Sequence, residues 1–327
     1  MNKSISIEVV RSEIISLSSM SVESAHPIVS SLAKQGYDVK LTNINSSEDL
    51  AALITRKPDV VFLGMMYIVD SVDPTHRIWL SDALEAAGIA HTGSQRSAHE
   101  LELNKDQAKQ RVLDNGLATA QFRIVDIGQL YAEQRAGLKF PLFVKPLTGG
   151  GGQGVDEYSI VRTLEQLNDK ISWLHRHHQV NILIEHYLEG REFSVAIVRN
   201  RNSDELIAMP LELIAPKDSN GERMLSSAVK SLNQEEAIAV TDTNEQTLIG
   251  DFALKVFRIL GARDYGRIDI RLDGDGTPHF LEANLIPSLI ANYGSFPKAY
   301  ELYRGDAHGG MIDHIVQLAN ERTIPSY

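Results

Sequence analysis

Two acidic side chains face each other in a segment that has the pattern of a β-hairpin. Residues 265–288 read YGRIDIRLDGDGTPHFLEANLIPS, and Asp275-Gly276 near the centre is typical of a two-residue type I′ turn. Such a turn places Asp269 directly opposite Glu282 on one face of the strand pair. Two carboxylates in this position repel each other in water, and a divalent cation between them reverses the sign of the interaction. The hairpin therefore predicts a metal site.

The residues around the acidic pair fit the same interpretation. The Asn284 amide adds a third oxygen ligand of the kind that Mg²⁺ accepts, and Arg267, opposite Asn284, could hold a developing negative charge. The other face of the hairpin is apolar and is expected to lie in the core; it carries Ile268, Ile270, Leu272, Leu281 and Ala283. The alternative interpretation is a solvated hairpin face whose charges are incidental.

A second segment, residues 145–155, reads KPLTGGGGQGV and contains five glycines. It matches the dinucleotide-binding spacing G-x-G-x-x-G, but the residues that follow alternate like a strand and do not open a helix. The Walker spelling also fails, because no Gly-Lys-Ser/Thr closes the loop. A glycine-rich flap between two strands remains, and its free amide N–H groups would cradle an anion beside Lys145. A hairpin tip without a ligand is the alternative.

These two segments together indicate chemistry on a nucleoside triphosphate. A phosphate-cradling flap and a magnesium hairpin are complementary parts of such a site. Between them, ILIEHYLEGREFSV reads as a strand, a turn and a strand, with Glu185 at the end of the first strand and Glu192 at the start of the second. A carboxylate can accept hydrogen bonds from an adenine amino group or from ribose hydroxyls.

The elements that must position these residues follow an α/β pattern. Strand and helix patterns alternate over the first ninety or so residues, and the apolar run DVVFLG is typical of a buried parallel strand. This predicts an open α/β sheet at the N-terminus. Two further units follow, one around the glycine-rich flap and one around the hairpin. We predict domains at residues 1–95, 96–186 and 187–327.

The composition of the chain excludes several classes of partner and of chemistry. The chain has 327 residues and a formal net charge of −11, which disfavours nucleic acid and anionic lipid as partners. It has no cysteine, so disulfides, thiolate metal sites and a cysteine nucleophile are excluded. The N-terminus lacks the pattern of a signal peptide, and no apolar stretch is long enough to span a membrane. We expect a cytoplasmic protein.

Taken together, these segments resemble the ATP-grasp superfamily and, most closely, the D-alanine–D-alanine ligase family. The resemblance covers nearly the whole chain and rests on AGIAHTGS, on FPLFVKP before the glycine-rich loop, on ILIEHYLEGREFSVAIV and on GRIDIRLDGDGTPHFLEANLIPSL. It implies an α/β (α+β) ATP-grasp fold, in which an N-terminal open α/β domain precedes central and C-terminal domains that sandwich ATP. It also implies a homodimer that uses ATP and two Mg²⁺ ions, with Mn²⁺ as an alternative.

The resemblance assigns roles by position. Glu185, the main chain at Leu188, and Glu192 would contact adenine and ribose. The full set that it places on ATP is Lys105, Lys145, Gly150, Gly151, Gly152, Glu185, Leu188, Glu192 and Lys230. The metal ligands that it implies are Asp269, Glu282 and Asn284. The catalytic residues that it implies are Arg267, Gly151 and Lys230, with Arg267 stabilising a tetrahedral intermediate.

The implied activity is an ATP-dependent ligation of a carboxylate to an amine through an acyl phosphate, with small amino-acid or amino-acid-like substrates. The chain departs from the family pattern where those substrates would bind: Ser19 stands where the family generally has an acidic residue. The loop also has Gly151 and Gly152 where serines are usual. We therefore expect substrates other than two D-alanines. An authentic D-alanine–D-alanine ligase, another ATP-grasp chemistry and a non-catalytic ATP-binding protein are the alternatives.

Overall fold

The computed structural model describes residues 4–70, 73, 75–131, 137–150, 152–218 and 221–322. Within these ranges no helix is both long and apolar enough to cross a membrane. The described chain forms three four- or five-stranded sheets and one two-stranded ribbon. The mixed α/β fold class is confirmed.

The first sheet is parallel, as the alternating N-terminal pattern predicts. Its strands, in the spatial order β2-β1-β3-β6, are β1 Ser6–Arg11, β2 Asp38–Asn43, β3 Val60–Leu63 and β6 Ala90–His91. The ribbon consists of β4 Tyr67–Val69 and β5 Arg77–Trp79. The helices of this region are α1 Val22–Lys34, α2 Ser47–Arg56 and α3 Leu80–Ala86. Helix α2 begins with a capping box between Ser46 and Asp49, which satisfies two backbone N–H groups at its start.

The second sheet is antiparallel and carries the glycine-rich loop. Its strands, in the order β7-β10-β8-β9, are β7 Phe122–Val125, β8 Leu142–Pro146, β9 Ile160–Val161 and β10 Ile182–His186. The helices are α4 Arg96–Leu103, α5 Lys105–Asp114 and α6 Leu164–His178. The loop joins β8 to β9, so the strand-to-strand connection is confirmed, although β9 is shorter than the alternating sequence predicts.

The third sheet is also antiparallel and contains the hairpin. Its strands, in the order β13-β12-β11-β14-β15, are β11 Glu192–Arg199, β12 Leu206–Ile214, β13 Glu236–Ala239, β14 Tyr265–Leu272 and β15 Pro278–Asn284. The helices are α7 Ser227–Ser231, α8 Thr243–Ile259, α9 Ser295–Arg304 and α10 His308–Glu321. Helices α8 and α9 both contact β11 and β12.

The last helix completes the first sheet. Met311, Ile312 and Ile315 of α10 belong to the same buried cluster as Ile7 and Val9 of β1. The Tyr37 hydroxyl donates a hydrogen bond of 2.5 Å to Asp313 Oδ1 across 276 positions of sequence. The end of the chain therefore packs with the sheet that its beginning forms.

The hairpin has the predicted pairing at the site but a different turn. Asp269 pairs with Glu282 and Arg267 with Asn284, as expected. The turn is not the two-residue Asp275-Gly276 type: the strands end at Leu272 and Pro278, and the register shifts by one residue just after Asp269.

The Asp273 side chain explains the wider turn. Its Oδ1 accepts hydrogen bonds from the backbone N–H groups of Asp275 at 3.0 Å and Thr277 at 2.9 Å. A side chain that satisfies two loop donors stabilises a longer connection than a type I′ turn. The β-bulge then restores the register at the site, and it takes Leu281 out of the expected core and into the wall of a cleft.

A buried histidine lies at the end of the first sheet. His91 is 1% exposed, with Nε2 3.2 Å from Glu85 Oε1 and 3.1 Å from Arg263 Nη2. Burial, and then the positive charge of Arg263, lower the pKa of His91 to about 4. The histidine is therefore neutral in the folded protein at neutral pH.

We expect His91 to make the folded state sensitive to acid. Its pKa is lower folded than unfolded, so the unfolded state binds the extra proton and stability falls as the pH drops from about 6.5 to about 4. The loss should be about 2–3 kcal/mol, and His91→Gln should remove that part of the pH dependence. Urea unfolding at several pH values measures it, with His26→Gln on the exposed face of α1 as the control. Equal pH dependence in the wild type and His91→Gln would contradict the assignment.

Candidate active site

An open cleft of about 850 Å³ lies between the second and third sheets. Its wall brings together most of the residues singled out from the sequence, although they come from distant parts of the chain. These are Lys105, Lys145, Gly150, Gly152, Glu185, Leu188, Glu192, Lys230, Asp269 and Glu282. Gly151 lies outside the described residues. Arg267 and Asn284 are not among the described residues of the wall, but both contact Asp269, which is.

Lysines lie around Glu282, one member of the acidic pair on the hairpin. Lys105 Nζ lies 3.9 Å from Glu282 Oε2. Burial alone would raise the pKa of Glu282, but the positive charges of Lys105, Lys230 and Lys145 overcome this effect and lower the pKa to about 2. Glu282 is therefore a carboxylate at any physiological pH, surrounded by three cations.

Asp269 is held by protein donors on both oxygens. Arg267 donates from Nε to Oδ1 and from Nη2 to Oδ2, each at 3.0 Å. Ser194 Oγ donates to Oδ1 at 2.8 Å, and Asn284 Nδ2 lies 3.4 Å from Oδ2. The sequence predicts that a metal ion relieves the repulsion between the two carboxylates; in the structure Arg267 also supplies a positive charge to Asp269 directly.

The donor set nevertheless fits a hard cation that also takes ligands from a substrate. Within the described residues no group of three or more His, Cys, Asp or Glu side chains could hold a metal by itself. The two hairpin carboxylates, Asp269 and Glu282, line the cleft. Asn284 turns its amide nitrogen toward Asp269, which leaves its carbonyl oxygen available. An ion with few protein ligands and several external oxygens is the usual case for Mg²⁺.

A buried chain of three charges supports the floor of the cleft. Glu185 is 3% exposed; its Oε1 lies 2.6 Å from Lys145 Nζ and its Oε2 lies 2.7 Å from Lys109 Nζ. Burial would raise the pKa of Glu185, but the two lysines lower it to about 2. Both carboxylate oxygens are thus engaged by lysines, so Glu185 first of all holds Lys145 in place.

Lys109 is a site residue that the sequence argument missed. Its side chain is fully buried, and its Nζ donates to Thr119 Oγ1 at 2.8 Å and lies 3.4 Å from the carbonyl oxygen of Phe280. It follows Lys105 by four positions, so both lysines lie on one face of helix α5. The four-residue spacing between Lys105 and Lys109 is the feature of the sequence from which Lys109 could be predicted.

Arg271 is a second residue that was missed. It shares the site face of β14 with Arg267 and Asp269 by strand alternation. Its Nη1 lies 3.1 Å from Glu192 Oε2, and its guanidinium lies over the Tyr187 ring, 5.0 Å from the centroid. Burial raises the pKa of Glu192, and Arg271 opposes that shift. Arg271 therefore fixes the orientation of Glu192 on the wall of the cleft.

The glycine-rich loop contacts the start of helix α7. A Cβ atom added at Gly152 would lie 3.0 Å from the backbone nitrogen of Ser227, and the φ angle of Gly152 is +75°. The Ser227 N–H donates to the carbonyl oxygen of Val155 at 3.3 Å. On the other side, Lys105 Nζ donates to the Gly149 carbonyl oxygen at 2.5 Å. Two separate contacts thus hold the loop over the cleft.

The histidines near the end of helix α6 are not part of this site. His175, His177 and His178 lie in its last turn, and none of them lines the described wall of the cleft. The His177 ring stacks on Trp173 with a centroid distance of 4.6 Å.

Sequence comparisons with known proteins point to one protein family. The sequence profile described as "D-ala D-ala ligase C-terminus" matches residues 113–317. A D-alanine–D-alanine ligase from Desulforudis audaxviator is 26% identical over 307 residues, which cover 93% of this chain and 94% of that protein. An uncharacterized protein from Sinorhizobium fredii is 29% identical over 246 residues, which cover 73% of this chain and 69% of that protein.

Solved structures agree on the fold. The crystal structure of D-alanine–D-alanine ligase from Bacillus anthracis complexed with ATP has a TM-score of 0.76 at 18% sequence identity, and the match covers 98% of this chain and 99% of that chain. The D-alanine–D-alanine ligase from Coxiella burnetii has a TM-score of 0.71 at 16% identity. The described fold is therefore the ATP-grasp fold over nearly its whole length.

We expect Lys109→Met to destabilise the protein strongly. Methionine keeps the length of the side chain but leaves Glu185 buried with one cation fewer, and breaking a buried ion pair costs about 3–5 kcal/mol. The free energy of unfolding, measured in urea, should fall by about that amount. Gln110→Met, on the exposed face of the same helix, is the matched control. A loss no larger than that of the control would show that Lys109 does not support the charge chain.

Proposed function

Because the chain belongs to the D-alanine–D-alanine ligase family, which its residues 113–317 match, we propose that it is an ATP-dependent carboxylate–amine ligase. The bond formed is a dipeptide-type amide between two small substrates. The observation that carries this proposal is the joint presence of three lysines, a glycine-rich loop and two carboxylates on the wall of one cleft. We also propose that residues 1–95, 96–186 and 187–327 are its domains.

The lysine side of the cleft suits a triphosphate. Lys105, Lys145 and Lys230 reach the cleft beside the loop residues Gly150 and Gly152. Point charges and backbone amides are the groups that bind phosphate oxygens in nucleotide sites. Lys145 is fixed by Glu185 and Lys105 by the Gly149 carbonyl oxygen, so their ammonium groups are positioned before the nucleotide arrives.

The apolar part of the cleft wall suits a nucleoside. Its apolar wall includes Phe143, Leu188, Met224 and Leu281, a surface on which a flat base can lie. Glu192, oriented by Arg271, is the carboxylate available for ribose hydroxyls. Glu185 was expected to take part in purine contacts, and its two lysine partners support a positioning role for it instead.

Asp269, Glu282 and the carbonyl oxygen of Asn284 would hold Mg²⁺. When bound, Mg²⁺ supplies positive charge to the phosphate oxygens of the nucleotide. In the structure Arg267 donates to both carboxylate oxygens of Asp269. For Asp269 to be a metal ligand, one of these oxygens must therefore contact both Arg267 and Mg²⁺.

Arg267 is proposed to stabilise negative charge during the reaction. The carboxylate oxygen of the first substrate attacks the γ-phosphorus of ATP, the bond to the β-phosphate oxygen breaks, and ADP leaves. The amine of the second substrate attacks the acyl carbon, loses a proton, and inorganic phosphate leaves. Arg267, positioned by Asp269 and by Ser295 Oγ at 3.3 Å, would donate to the oxyanion that forms in the second step.

Ligation of two D-alanines is the second candidate. The relatives named D-alanine–D-alanine ligase favour it, but at 26% identity they do not fix the substrates. We also propose that the protein is a homodimer and that its substrates are small molecules.

We expect Arg267→Ala to separate ligation from nucleotide binding. Product formation should fall about 100- to 1,000-fold, as it does when an oxyanion donor is lost, while ATP affinity changes little. Mass spectrometry of products from Mg²⁺, ATP and a pool of amino acids and short carboxylic acids, together with ADP release, measures activity; calorimetry measures ATP binding. Arg258→Ala, on the exposed face of helix α8, is the control. Absence of any amide product from the wild type would refute ligase activity, and D-alanyl-D-alanine as the dominant product would establish the second candidate.

We expect Gly152→Ala to weaken ATP binding by about tenfold. Alanine is strained at φ +75°, and its Cβ would lie 3.0 Å from the backbone nitrogen of Ser227, so the loop must lift from the segment that it covers. Gly150→Ala is a matched control in the same loop, because its Cβ would meet no atom within 4 Å and its φ is not in the left-handed region. Equal ATP affinities for the two variants would contradict a closing role for the loop.

A further inference from the structure

Two titratable side chains of helix α4 are buried and have no part in the reaction proposed above. His99 is 1% exposed, and the Glu102 side chain is 10% exposed. Neither residue lines the described wall of the cleft, so neither is a candidate for direct contact with a ligand there. A buried carboxylate is unfavourable unless its oxygens have partners, and the partners of Glu102 therefore indicate what it does.

Glu102 binds the main chain at the point where the hairpin ladder ends. The pairing of β14 with β15 ends at Arg267 and Asn284. The next residue, Leu285, is fully buried, so its N–H needs a partner inside the protein. Glu102 Oε1 accepts a hydrogen bond from this N–H at 2.8 Å. Because a hydrogen bond to a carboxylate is about twice as strong as one between neutral groups, Glu102 holds the chain directly after Asn284.

His99 holds the second oxygen of the same carboxylate. Its Nδ1 lies 2.9 Å from Glu102 Oε2. An ionised carboxylate only accepts hydrogen bonds, so Nδ1 carries a proton and donates it. The other ring nitrogen, Nε2, is buried and has no hydrogen-bond partner in the part of the chain that the structure describes. The polar contact of the His99 ring is therefore with Glu102, and it fixes the orientation of that carboxylate.

The junction between helices α4 and α5 contacts both ends of the segment that carries two expected metal ligands. The two helices are separated by a single residue. Lys105, the first residue of α5, has its Nζ 3.9 Å from Glu282 Oε2. Glu102, near the end of α4, holds the N–H of Leu285. Asn284 lies between these two contacts, so its position depends on the same junction.

The charge of Glu102 also acts on Arg267. Burial lowers the pKa of this guanidinium, but the negative charges of Asp269, Glu282 and Glu102 reverse the shift and raise the pKa. Arg267 is paired with Asn284 in the hairpin. Glu102 therefore acts on both residues of the pair that ends the ladder, on one through the main chain and on the other through its charge.

We propose that Glu102, oriented by His99, is a positioning residue for Mg²⁺ binding. By holding the main chain at Leu285, it keeps the Asn284 amide nitrogen beside Asp269 and leaves the Asn284 carbonyl oxygen free for the ion. This role rests on the Mg²⁺ site of the ligase function proposed above. When a group that orients a metal ligand is removed, metal affinity typically falls about 10- to 100-fold.

The test measures how much Mg²⁺ strengthens nucleotide binding. The Kd of a non-hydrolysable ATP analogue is measured by calorimetry with EDTA and with Mg²⁺, and the ratio of the two values is the Mg²⁺ enhancement. Glu102→Met keeps the length of the side chain but removes both acceptor oxygens, and the enhancement should fall about tenfold or more. Glu102→Gln keeps an oxygen for the Leu285 N–H and should retain most of the enhancement.

The same substitution elsewhere on helix α4 is the matched control. Glu100 has a side chain that is 42% exposed, and Glu100→Met should leave the Mg²⁺ enhancement unchanged. Urea unfolding shows whether each variant is folded. A folded Glu102→Met protein with the enhancement of the wild type would show that the role of Glu102 is structural only, and would overturn the proposal.

A second pair of variants tests the contact from its other side and serves if Glu102→Met does not fold. His99→Phe fills the volume of the ring but has no donor for Glu102, so the enhancement should fall. His99→Asn offers an amide nitrogen in place of Nδ1 and should restore the enhancement. Equal enhancements in His99→Phe and in the wild type would contradict the orienting role of His99.

This role and the ligase function fail in different ways. An Mg²⁺ enhancement that depends on Glu102, in a protein that forms no amide product, would refute ligation and support the positioning role. A wild-type protein whose affinity for the ATP analogue is the same with Mg²⁺ and with EDTA would overturn the Mg²⁺ site and the positioning role together, whatever product it forms.

Discussion

The alternation of strand β14 is the constraint on which the site depends. Its even-numbered residues, including Ile268 and Ile270, are buried in the core that helix α8 covers. Its odd-numbered residues, Arg267, Asp269 and Arg271, are consequently all directed to the opposite face. Because one side of the strand is fixed by burial of apolar area, a slip by one residue would bury three charged side chains. The apolar face thus sets the positions of the charged face.

The second requirement is that each buried charge has an opposite charge beside it. Lys109 and Lys145 both contact Glu185, and Arg267 contacts Asp269 through two hydrogen bonds. Buried cations of this kind are tolerated only beside carboxylates, since an unpaired charge in the interior is very unfavourable. The Lys109–Glu185–Lys145 chain retains one excess positive charge, which is the sign that a phosphate ligand requires. Stability and ligand attraction therefore arise from the same arrangement.

Much of the site could be predicted because local patterns encode it. The acidic pair follows from strand alternation, and the glycine-rich loop from its composition. The turn was predicted wrongly, because the Asp273 side chain stabilises a longer loop; the bulge compensated for that error at Asp269 and Glu282 but placed Leu281 on the cleft wall instead of in the core.

Contacts between residues that are distant in sequence could not be predicted from local patterns. That both oxygens of Glu185 contact lysines depends on how helix α5 packs against the sheets, and no spacing within the sequence around Glu185 reveals it. Helices α9 and α10 were not predicted as elements, and the docking of α10 on the first sheet is a contact between the two ends of the chain. Such long-range packing is decided by shape and apolar area. The site was therefore more predictable than the framework that holds it.

The closure of the first sheet by helix α10 has a consequence for biosynthesis. Strands β1 to β3 are translated early, yet the apolar residues that cover them, such as Met311 and Ile315, are added near the end of the chain. Helix α1 covers part of this apolar face early, but the part that α10 covers stays exposed on the ribosome while more than two hundred further residues are made. The core of this part of the molecule therefore cannot be completed until the end of synthesis, and apolar surface that is exposed in the meantime is the kind that chaperones bind.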